Sequence, residues 1–468
     1  MAFSSPQFLI FFILVCGLNF VLKNSARKHL LLIASLVFIG WFNFYTLGAV
    51  IFFSGFTFFI AGRVTGDKGA FIFYSGLMVN CLAIVLFNYL LASGGLVIFS
   101  LNAVDFSVSA LFLFVGLSFY NLQHVAYLVD VRKKRILAEK NFFDFLLISS
   151  YFPKFISGPL TLYQQLRPQI NGPAPQQIIL VQGFNRMLLG FFKKMVLADR
   201  LAPSVASVFD YNDELPGITV MSGAILFTIQ LYFDFSGYCD MAIGASKMLG
   251  IELPENFDFP LRAGSVTEFW RKWHRSLIHF FTTYIFYPVS FRYRRFKKQA
   301  AAIAVILTFF VSALWHGIGF TFMMWACCHM VYLLFELYFG RGSRPGKLRR
   351  FISVALVLLL VSFGNIFFRS TSSSGSMHLL SRLFTFDFLP ENWAVELLAP
   401  IAVGGHQAEQ FNLAATLFFV FFTLLFERKI FEHANVSKFR PLITFLVILV
   451  IFVFGVFGNA QRFIYMQF

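Results

Sequence analysis

The chain consists of long apolar runs separated by short polar segments. A transmembrane helix needs about 20 mostly apolar residues, and these runs lack the polar–apolar alternation of strands in a membrane barrel. We therefore predict an all-α polytopic membrane protein with roughly ten to thirteen transmembrane or re-entrant helices. The predicted segments lie near residues 6–23, 29–45, 47–62, 72–95, 108–128, 143–160, 177–197, 218–234, 274–290, 300–316, 319–339, 351–368, 411–426 and 441–458.

Composition agrees with this pattern. Of the 468 residues, 58% are hydrophobic and 13% are charged, whereas soluble domains carry roughly a quarter charged residues. The first apolar run has no small-residue cleavage site after it, so we expect a retained helix and not a removed signal peptide. No linker and no internal repeat is visible, and we treat residues 1–468 as one membrane-embedded domain with its core motifs near 108–340.

Basic residues exceed acidic residues and give a formal net charge of +16. Because the cations lie in short loops, we expect them to set the topology of the chain, and we expect no nucleic-acid partner. Two basic blocks frame the centre of the chain, and the positive-inside rule places both on the cytoplasmic side. The first block contains Arg292, Arg294, Arg295, Lys297 and Lys298, and the second contains Arg341, Arg344, Lys347, Arg349 and Arg350.

The segment between the two blocks must cross the membrane an even number of times, and its length fits two helices of about 20 residues. The sequence Gly-Ile-Gly at 317–319 is the natural break between them. This hairpin carries His316 at the end of its first helix and His329 near the middle of its second. We expect the two histidines to approach each other only through the break.

A buried imidazole is unfavourable in an apolar environment unless a partner satisfies it or a reaction uses it. Histidine exchanges a proton near neutral pH, so His316 is a candidate general base, with His329 beside it. Trp315 and Trp325 flank this pair. The alternative is structural: each ring would bond a backbone carbonyl or a neighbouring helix.

Other polar residues allow two interpretations each. Ser265 to Glu268 have the form of a capping box before Trp270 and Trp273, which fits a helix anchored in the membrane interface or a helix with a further role. Asp234 and Asp240 mark a pathway or form ion pairs, and Lys193 and Lys194 look like ordinary boundary cations. His274 and His279 are five apart, which does not favour a metal pair on one helix, and we expect no metal site.

Several motifs in combination resemble one family. They lie at 116–120, 127–130, 152–153, 158–159, 192–194, 232–241, 254–257, 267–274, 314–317, 325–329 and 463–468. Together they resemble the membrane-bound O-acyltransferases, in particular the bacterial branch that contains the alginate O-acetylation membrane component. The chain departs from the family pattern at Thr282 and Thr283, where an Arg–Asp pair is usual, and lacks a diglycine after Pro288.

The resemblance implies a bowl-shaped helical fold with a central tunnel, His316 as the catalytic histidine and His329 as the second histidine of the hairpin. It implies an acyl donor from the cytoplasm and an acceptor outside, with an SGNH-type partner completing transfer in the polysaccharide branch. It also implies residence in the bacterial cytoplasmic membrane, among its lipids.

We therefore expect transfer of an acyl group, acetyl by this resemblance, from a thioester to a hydroxyl of an extracytoplasmic polysaccharide or carrier partner. We expect acetyl-CoA as a donor substrate and no permanently bound cofactor. Trp315 and the first basic block, Arg292, Arg294, Arg295, Lys297 and Lys298, are the expected donor contacts. The alternatives are a transporter or flippase for a glycan precursor, and a D-alanyl-type transferase that uses a carrier-protein thioester.

Overall fold

The computed structural model describes residues 3–22, 24–66, 69–92, 96–101, 104–108, 116–172, 175–210, 215–340, 346–385, 392, 407–434, 441–457 and 463–464. In chain order its α-helices are α1 (Pro6–Val21), α2 (Asn24–Phe42), α3 (Phe44–Ala61), α4 (Gly69–Ala92), α5 (Leu117–Arg132), α6 (Phe142–Ser150), α7 (Phe152–Phe155), α8 (Tyr163–Leu166), α9 (Gln177–Phe191), α10 (Asp199–Phe209), α11 (Gly217–Met248), α12 (Val266–Lys272), α13 (Arg275–Phe281), α14 (Tyr287–Arg292), α15 (Lys298–His316), α16 (Phe320–Phe339), α17 (Lys347–Arg369), α18 (Ser373–Arg382), α19 (Gln407–Ala434) and α20 (Pro441–Phe454).

Four short helical elements and one hairpin complete the described structure. Two stretches are π-helical, Phe192–Ala198 and Thr282–Phe286, and two are 3₁₀-helical, Pro260–Arg262 and Arg294–Phe296. Strands β1 (Leu96–Leu101) and β2 (Val104–Val108) pair antiparallel, with Leu96 opposite Val108 and Leu101 opposite Val104. The hairpin is a small addition to the predicted all-α architecture.

Seven helices within the described ranges are long and apolar enough to cross a membrane: α2, α3, α4, α11, α15, α16 and α17. The apolar helices α1 and α20 are shorter. These helices confirm the predicted multi-pass α-helical membrane protein. The candidate segment at 143–160 is not one continuous helix: the backbone leaves the helix at Tyr151 (φ −47°, ψ 109°), and the short helix α7 begins at Phe152 with Pro153 in its first turn.

Helices α9 and α11 pack with their backbones in close approach. Gly190 faces Gly237, and Gly183 faces Gly244, one glycine from each helix at each contact. A Cβ atom built on Gly190 would lie 2.6 Å from the Gly237 carbonyl oxygen, and one built on Gly183 would lie 2.7 Å from that of Gly244. Small residues at two successive contacts let membrane helices approach closely, so these glycines set the position of α11.

Buried charges join the same helices. The Lys194 Nζ lies 2.5 Å from Asp234 Oδ1 and 2.7 Å from Asp199 Oδ1, while Lys193 Nζ lies 3.0 Å from Asp240 Oδ2. Arg186 bridges Asp240 and Glu255. The interpretation of Lys193 and Lys194 as ordinary boundary cations is wrong: both side chains are buried, because the π-helical turn directs them at α11 and α10.

The backbone N–H of Ile464 donates to Asp234 Oδ2 over 2.9 Å. Asp234 therefore joins α11 both to the π-helical turn and to a segment near the end of the chain. The other predicted interpretation of Asp234 and Asp240, as ion-pair partners, agrees with these contacts, although their cations come from helices and not from loops.

The close approach of α9 and α11 can be tested with two glycine substitutions that should have different effects on stability. Gly190→Ala places a methyl group against the Gly237 carbonyl and should lower the thermal unfolding midpoint in detergent, since overpacking costs about 1–3 kcal/mol. Gly48→Ala in α3 meets no atom within 4 Å and should not lower the midpoint. Equal midpoints for the two variants would contradict tight packing at Gly190.

Candidate active site

The two central helices form the predicted hairpin. Helix α15 ends at His316, and α16 begins at Phe320 after the break at Gly317, Ile318 and Gly319. A Cβ atom on Gly317 would lie 2.5 Å from the Phe322 ring, so this turn needs a glycine to let Phe322 fold back over the helix end. The prediction of a break at this position is confirmed.

His316 is buried at the end of α15, where 6% of its surface is exposed. Aromatic rings surround the imidazole. The edges of Trp325 and Phe368 meet it at centroid distances of 5.1 Å each, Trp315 lies at 4.7 Å, and Phe322 stacks at 6.1 Å with an interplanar angle of 20°. Three of the four rings come from the hairpin and one from α17, so the site forms only when these helices pack together.

His329 lies on the other side of Trp325 from His316, with ring centroids of 5.3 Å to Trp325. The Trp270 Nε1–H donates to His329 Nδ1 over 3.3 Å. In the neutral ring the hydrogen therefore resides on Nε2, and a Cβ atom on Gly364 would lie 3.3 Å from that nitrogen. The break thus brings both histidines to one aromatic cluster, but His329 already uses its accepting nitrogen.

A small cavity adjoins His329. Its volume is about 20 Å³, which is sufficient for one water molecule. The lining combines apolar and aromatic side chains with the polar groups of His329 and Asn365, and comprises Leu231, Phe269, Trp270, Trp273, Trp325, His329, Val361, Asn365 and Phe368. A water molecule here would have polar partners on α16 and α17.

Helix α12 holds Trp270 in place. Ser265 Oγ accepts the Glu268 N–H, as the predicted capping box requires, while Glu268 Oε2 accepts from Gly264 N–H. Glu336 of α16 accepts the N–H groups of Val266 and Thr267 at 2.6 and 2.8 Å. Glu336 lies two turns beyond His329 on α16, and its carboxylate therefore fixes the start of α12 against that helix.

The tryptophans of α12 pack against protein, so they are not the lipid anchors that the interpretation of α12 as an interface helix assumed. Trp273 is 5% exposed and packs on Phe257 and Phe269, and Trp270 points at His329. An amphipathic pattern shows which residues share a face, but it does not show whether that face meets lipid or protein.

Sequence reasoning missed His274, which was considered only as a metal ligand. The ring is 1% exposed, interacts electrostatically with His316 and stacks on Phe119, which in turn meets Trp315 edge-on at 5.5 Å. Its backbone is left-handed (φ 44°, ψ 50°), a conformation that is unfavourable for this residue type. Asn256 Oδ1 lies 3.1 Å from His274 Nδ1 and also accepts from the Ser276 N–H and hydroxyl.

The signal for His274 was present in the motif at 267–274, which ends on this residue. The electrostatic interaction with His316 was not readable from the sequence, because 42 positions separate the two histidines and the packing of the helices between them sets their distance.

Trp315 lies beside His316 with an unused hydrogen-bond donor. The ring is 7% exposed, and its buried Nε1–H meets no acceptor within the part of the chain that the structure describes. The backbone at this point is held from outside the hairpin: the Asn88 side-chain amide of α4 donates to the carbonyls of Leu314 and Trp315, each over 2.9 Å.

The first basic block lies at the other end of α15. The side chains of Arg292, Arg294, Arg295, Lys297 and Lys298 are exposed. At 1.5 Å rise per residue, Lys298 and His316 are about 27 Å apart along the helix. The structure therefore does not bring this block to the histidine. In the second block Arg341 and Arg344 lie outside the described residues, and Arg350 approaches Glu268 at 3.6 Å.

The departure at Thr282 and Thr283 falls in a π-helical turn that joins α13 to α14. Within this turn Tyr284 donates its hydroxyl hydrogen to Asp130 Oδ2 over 2.7 Å, and Asp130 also pairs with Arg135. A tyrosine–aspartate hydrogen bond thus connects this turn to α5.

Comparison with known proteins places these features in a family context. Residues 131–378, more than half of the chain, match the membrane-bound O-acyltransferase family, MBOAT. The chain is 33% identical over 395 residues to a probable alginate O-acetylase, AlgI, of Azotobacter vinelandii. The aligned region covers 82% of this chain and 78% of that protein. It is also 27% identical over 420 residues to the peptidoglycan O-acetyltransferase of Helicobacter pylori, and this alignment covers 81% of this chain and 79% of that protein.

A shorter match, 29% identical over 236 residues, connects the chain with the teichoic acid D-alanyltransferase of Streptococcus thermophilus and covers 47% of this chain and 56% of that protein. The family match includes His274, His316 and His329, so the aromatic cluster lies within the shared region. With this match and a relative above 30% identity across most of its length, the chain is a multi-pass acyltransferase that belongs to the membrane-bound O-acyltransferase family.

Proposed function

We propose that this protein transfers an acetyl group from a cytoplasmic thioester to a hydroxyl of an extracytoplasmic polysaccharide, or of a carrier partner that completes the transfer. The observation that carries the proposal is the burial of His316 among four aromatic rings at the end of a membrane helix. The names of the alginate and peptidoglycan relatives favour a polysaccharide acceptor.

In the proposed reaction His316 accepts the proton of the acceptor hydroxyl while that oxygen attacks the thioester carbonyl. The carbon–sulfur bond of the tetrahedral intermediate then breaks, and the imidazolium returns the proton to the leaving thiolate. The products are an ester and a free thiol. Because the ring is screened from solvent, water is a poor competitor for the thioester.

His329 is assigned a supporting role. Its Nδ1 is occupied by the Trp270 N–H, whereas deprotonating a hydroxyl requires an accepting nitrogen that faces the substrate. We place His329 behind Trp325 as a residue that orders the aromatic cluster, together with the cavity that fits one water molecule. His274 is placed as an electrostatic neighbour of His316.

Trp315 is assigned to the acyl group. Its buried Nε1–H, which has no acceptor within the described ranges, is available to the carbonyl oxygen that becomes negative in the intermediate. Fixed donors of this kind stabilise an oxyanion without reorganisation. The first basic block is assigned to the phosphates of acetyl-CoA at the cytoplasmic mouth of the site, away from the reacting atoms.

A second candidate donor is a carrier-protein thioester, the alternative that the resemblance to D-alanyl-type transferases implies, and one relative is named a teichoic acid D-alanyltransferase. That relative matches only 47% of this chain, whereas the alginate O-acetylase relative matches 82%, so the acetyl donor is favoured. Reconstituted protein supplied with labelled acetyl-CoA, or separately with a charged carrier, distinguishes the two donors. Movement of a glycan without any acyl transfer would instead indicate a flippase.

The first test replaces the base. His316→Ala should lower kcat by about 10²- to 10⁴-fold in reconstituted vesicles, because general base catalysis contributes that much. His279→Ala is the control, since His279 is exposed and lies outside the aromatic cluster. His329→Ala should reduce kcat less than His316→Ala. Wild-type turnover by His316→Ala would remove the catalytic assignment, and a larger loss at His329 would reverse the two roles.

The second test removes one N–H group. Trp315→Phe keeps an aromatic ring beside His316 and should lower kcat by roughly 10²-fold, as loss of one oxyanion donor does. Trp41→Phe is the matched control, because Trp41 is 62% exposed on α2. An unchanged kcat in Trp315→Phe, with only KM altered, would show that the indole binds substrate without stabilising the intermediate.

The third test concerns the donor contact. Neutralising Arg294 and Arg295 to Gln should raise KM for acetyl-CoA roughly tenfold, the effect of about 1.4 kcal/mol of lost phosphate binding. KM for an acetyl thioester without phosphates, such as S-acetyl-N-acetylcysteamine, should not change. The control neutralises Lys347 and Arg349 in the second block. Equal effects on both donors would show that the first block sets topology only.

A further inference from the structure

Asn88 is one of two buried asparagines in the apolar membrane helix α4 and lies in the last two turns of that helix. Its side chain is 2% exposed, and α4 is among the helices apolar enough to span a membrane. The amide Nδ2 donates two hydrogen bonds of 2.9 Å, one to the carbonyl of Leu314 and one to that of Trp315. These acceptors belong to a helix that is 226 positions away along the chain.

The acceptors are groups that a helix cannot satisfy by itself. The last four carbonyls of an α-helix lack partners within the helix. At the end of α15 the Gly317 N–H donates a hydrogen bond of 3.0 Å to the carbonyl of Ala313. The next two carbonyls, those of Leu314 and Trp315, accept from Asn88. The Trp315 carbonyl would otherwise be buried without this partner and the Leu314 carbonyl partly so, and a buried unsatisfied polar group costs about 1–3 kcal/mol.

The two carbonyls lie in the peptide groups immediately before Trp315 and His316. The Leu314 carbonyl belongs to the peptide bond with Trp315, and the Trp315 carbonyl belongs to that with His316. Fixing both peptide planes fixes the direction in which both side chains leave the backbone. The glycine break follows at once, so the chain beyond His316 does not provide this restraint.

We propose that Asn88 is a positioning residue for the reaction: its amide holds the last turn of α15 so that His316 and Trp315 keep the geometry needed for acyl transfer. The inference rests on the proposed role of His316 as general base. Asn88 touches neither ring by the contacts described above and acts through the backbone. Its loss should therefore change the rate of proton transfer and not the affinity for donor.

Asn80 supplies a matched control on the same helix. It is also buried, at 0% exposure, but its amide donates to Gly76 of its own helix over 2.9 Å and to Thr57 of α3 over 3.4 Å. Asn80→Leu thus removes a buried amide from α4 without touching α15. Asn88→Leu removes an amide of the same size together with the two bonds to the end of α15.

The experiment measures kcat and KM for acetyl-CoA with both variants in reconstituted vesicles, after size-exclusion chromatography confirms that each is folded. Asn88→Leu should lower kcat about 10- to 100-fold, the effect of a misplacement of about 1 Å, with KM within about twofold of wild type. Asn80→Leu should keep the wild-type kcat. An unchanged kcat in Asn88→Leu, an effect on KM alone, or equal losses in the two variants would overturn the inference.

A second pair covers the case in which Asn88→Leu does not fold. Asn88→Gln and Asn88→Met have side chains of similar length, but only glutamine can donate to the two carbonyls. The glutamine variant should be faster than the methionine variant by about tenfold, the effect of about 1.4 kcal/mol, and equal rates would overturn the inference. His316→Ala is measured in parallel: if it is inactive while Asn88→Leu has full activity, only the role of Asn88 fails, whereas an active His316→Ala refutes the proposed function itself.

Discussion

A helix that ends inside a membrane protein must satisfy its last carbonyl groups without water, and in this chain that constraint falls at His316. The glycine break ends α15 there. The Gly317 N–H donates to the Ala313 carbonyl, and the side chain of Asn88 on α4 donates to the carbonyls of Leu314 and Trp315. The same few ångströms contain the imidazole and its aromatic neighbours. One set of contacts therefore ends the helix and positions the imidazole that we propose as the general base.

Contacts between the surrounding helices hold the cluster around His316 in place. Glu336 fixes α12 against α16, which aims Trp270 at His329, and Phe368 of α17 closes the ring cluster over His316. Farther away, glycine contacts and buried ion pairs lock α9 to α11. The exposed basic block at the start of α15 lies about 27 Å from His316 along the helix, so the proposed donor-phosphate contacts and the proposed base occupy opposite ends of α15.

Features that depend on local chain chemistry were predictable from the sequence. Glycine and isoleucine at 317–319 predicted the break, the basic blocks and apolar runs predicted the hairpin, and Ser265 predicted the start of α12. Features that depend on which surface faces which were not predictable. Lys193 and Lys194 resembled boundary cations because a π-helical turn is not visible in the sequence, and Trp270 resembled a lipid anchor because lipid and protein interior are equally apolar. The proximity of His274 to His316 requires the packing of helices far apart in sequence.

The most direct test of the account is a cryo-electron microscopy map of the protein in nanodiscs with a non-hydrolysable acetyl-CoA analogue. The account predicts that the analogue's acyl carbon lies beside His316, with a ring nitrogen about 3 Å, or one water molecule, from the position of an attacking hydroxyl. It also predicts the acyl oxygen near the Trp315 N–H. A map in which the His316 ring faces lipid, or in which the acyl group lies elsewhere with no passage to that ring, would contradict the account.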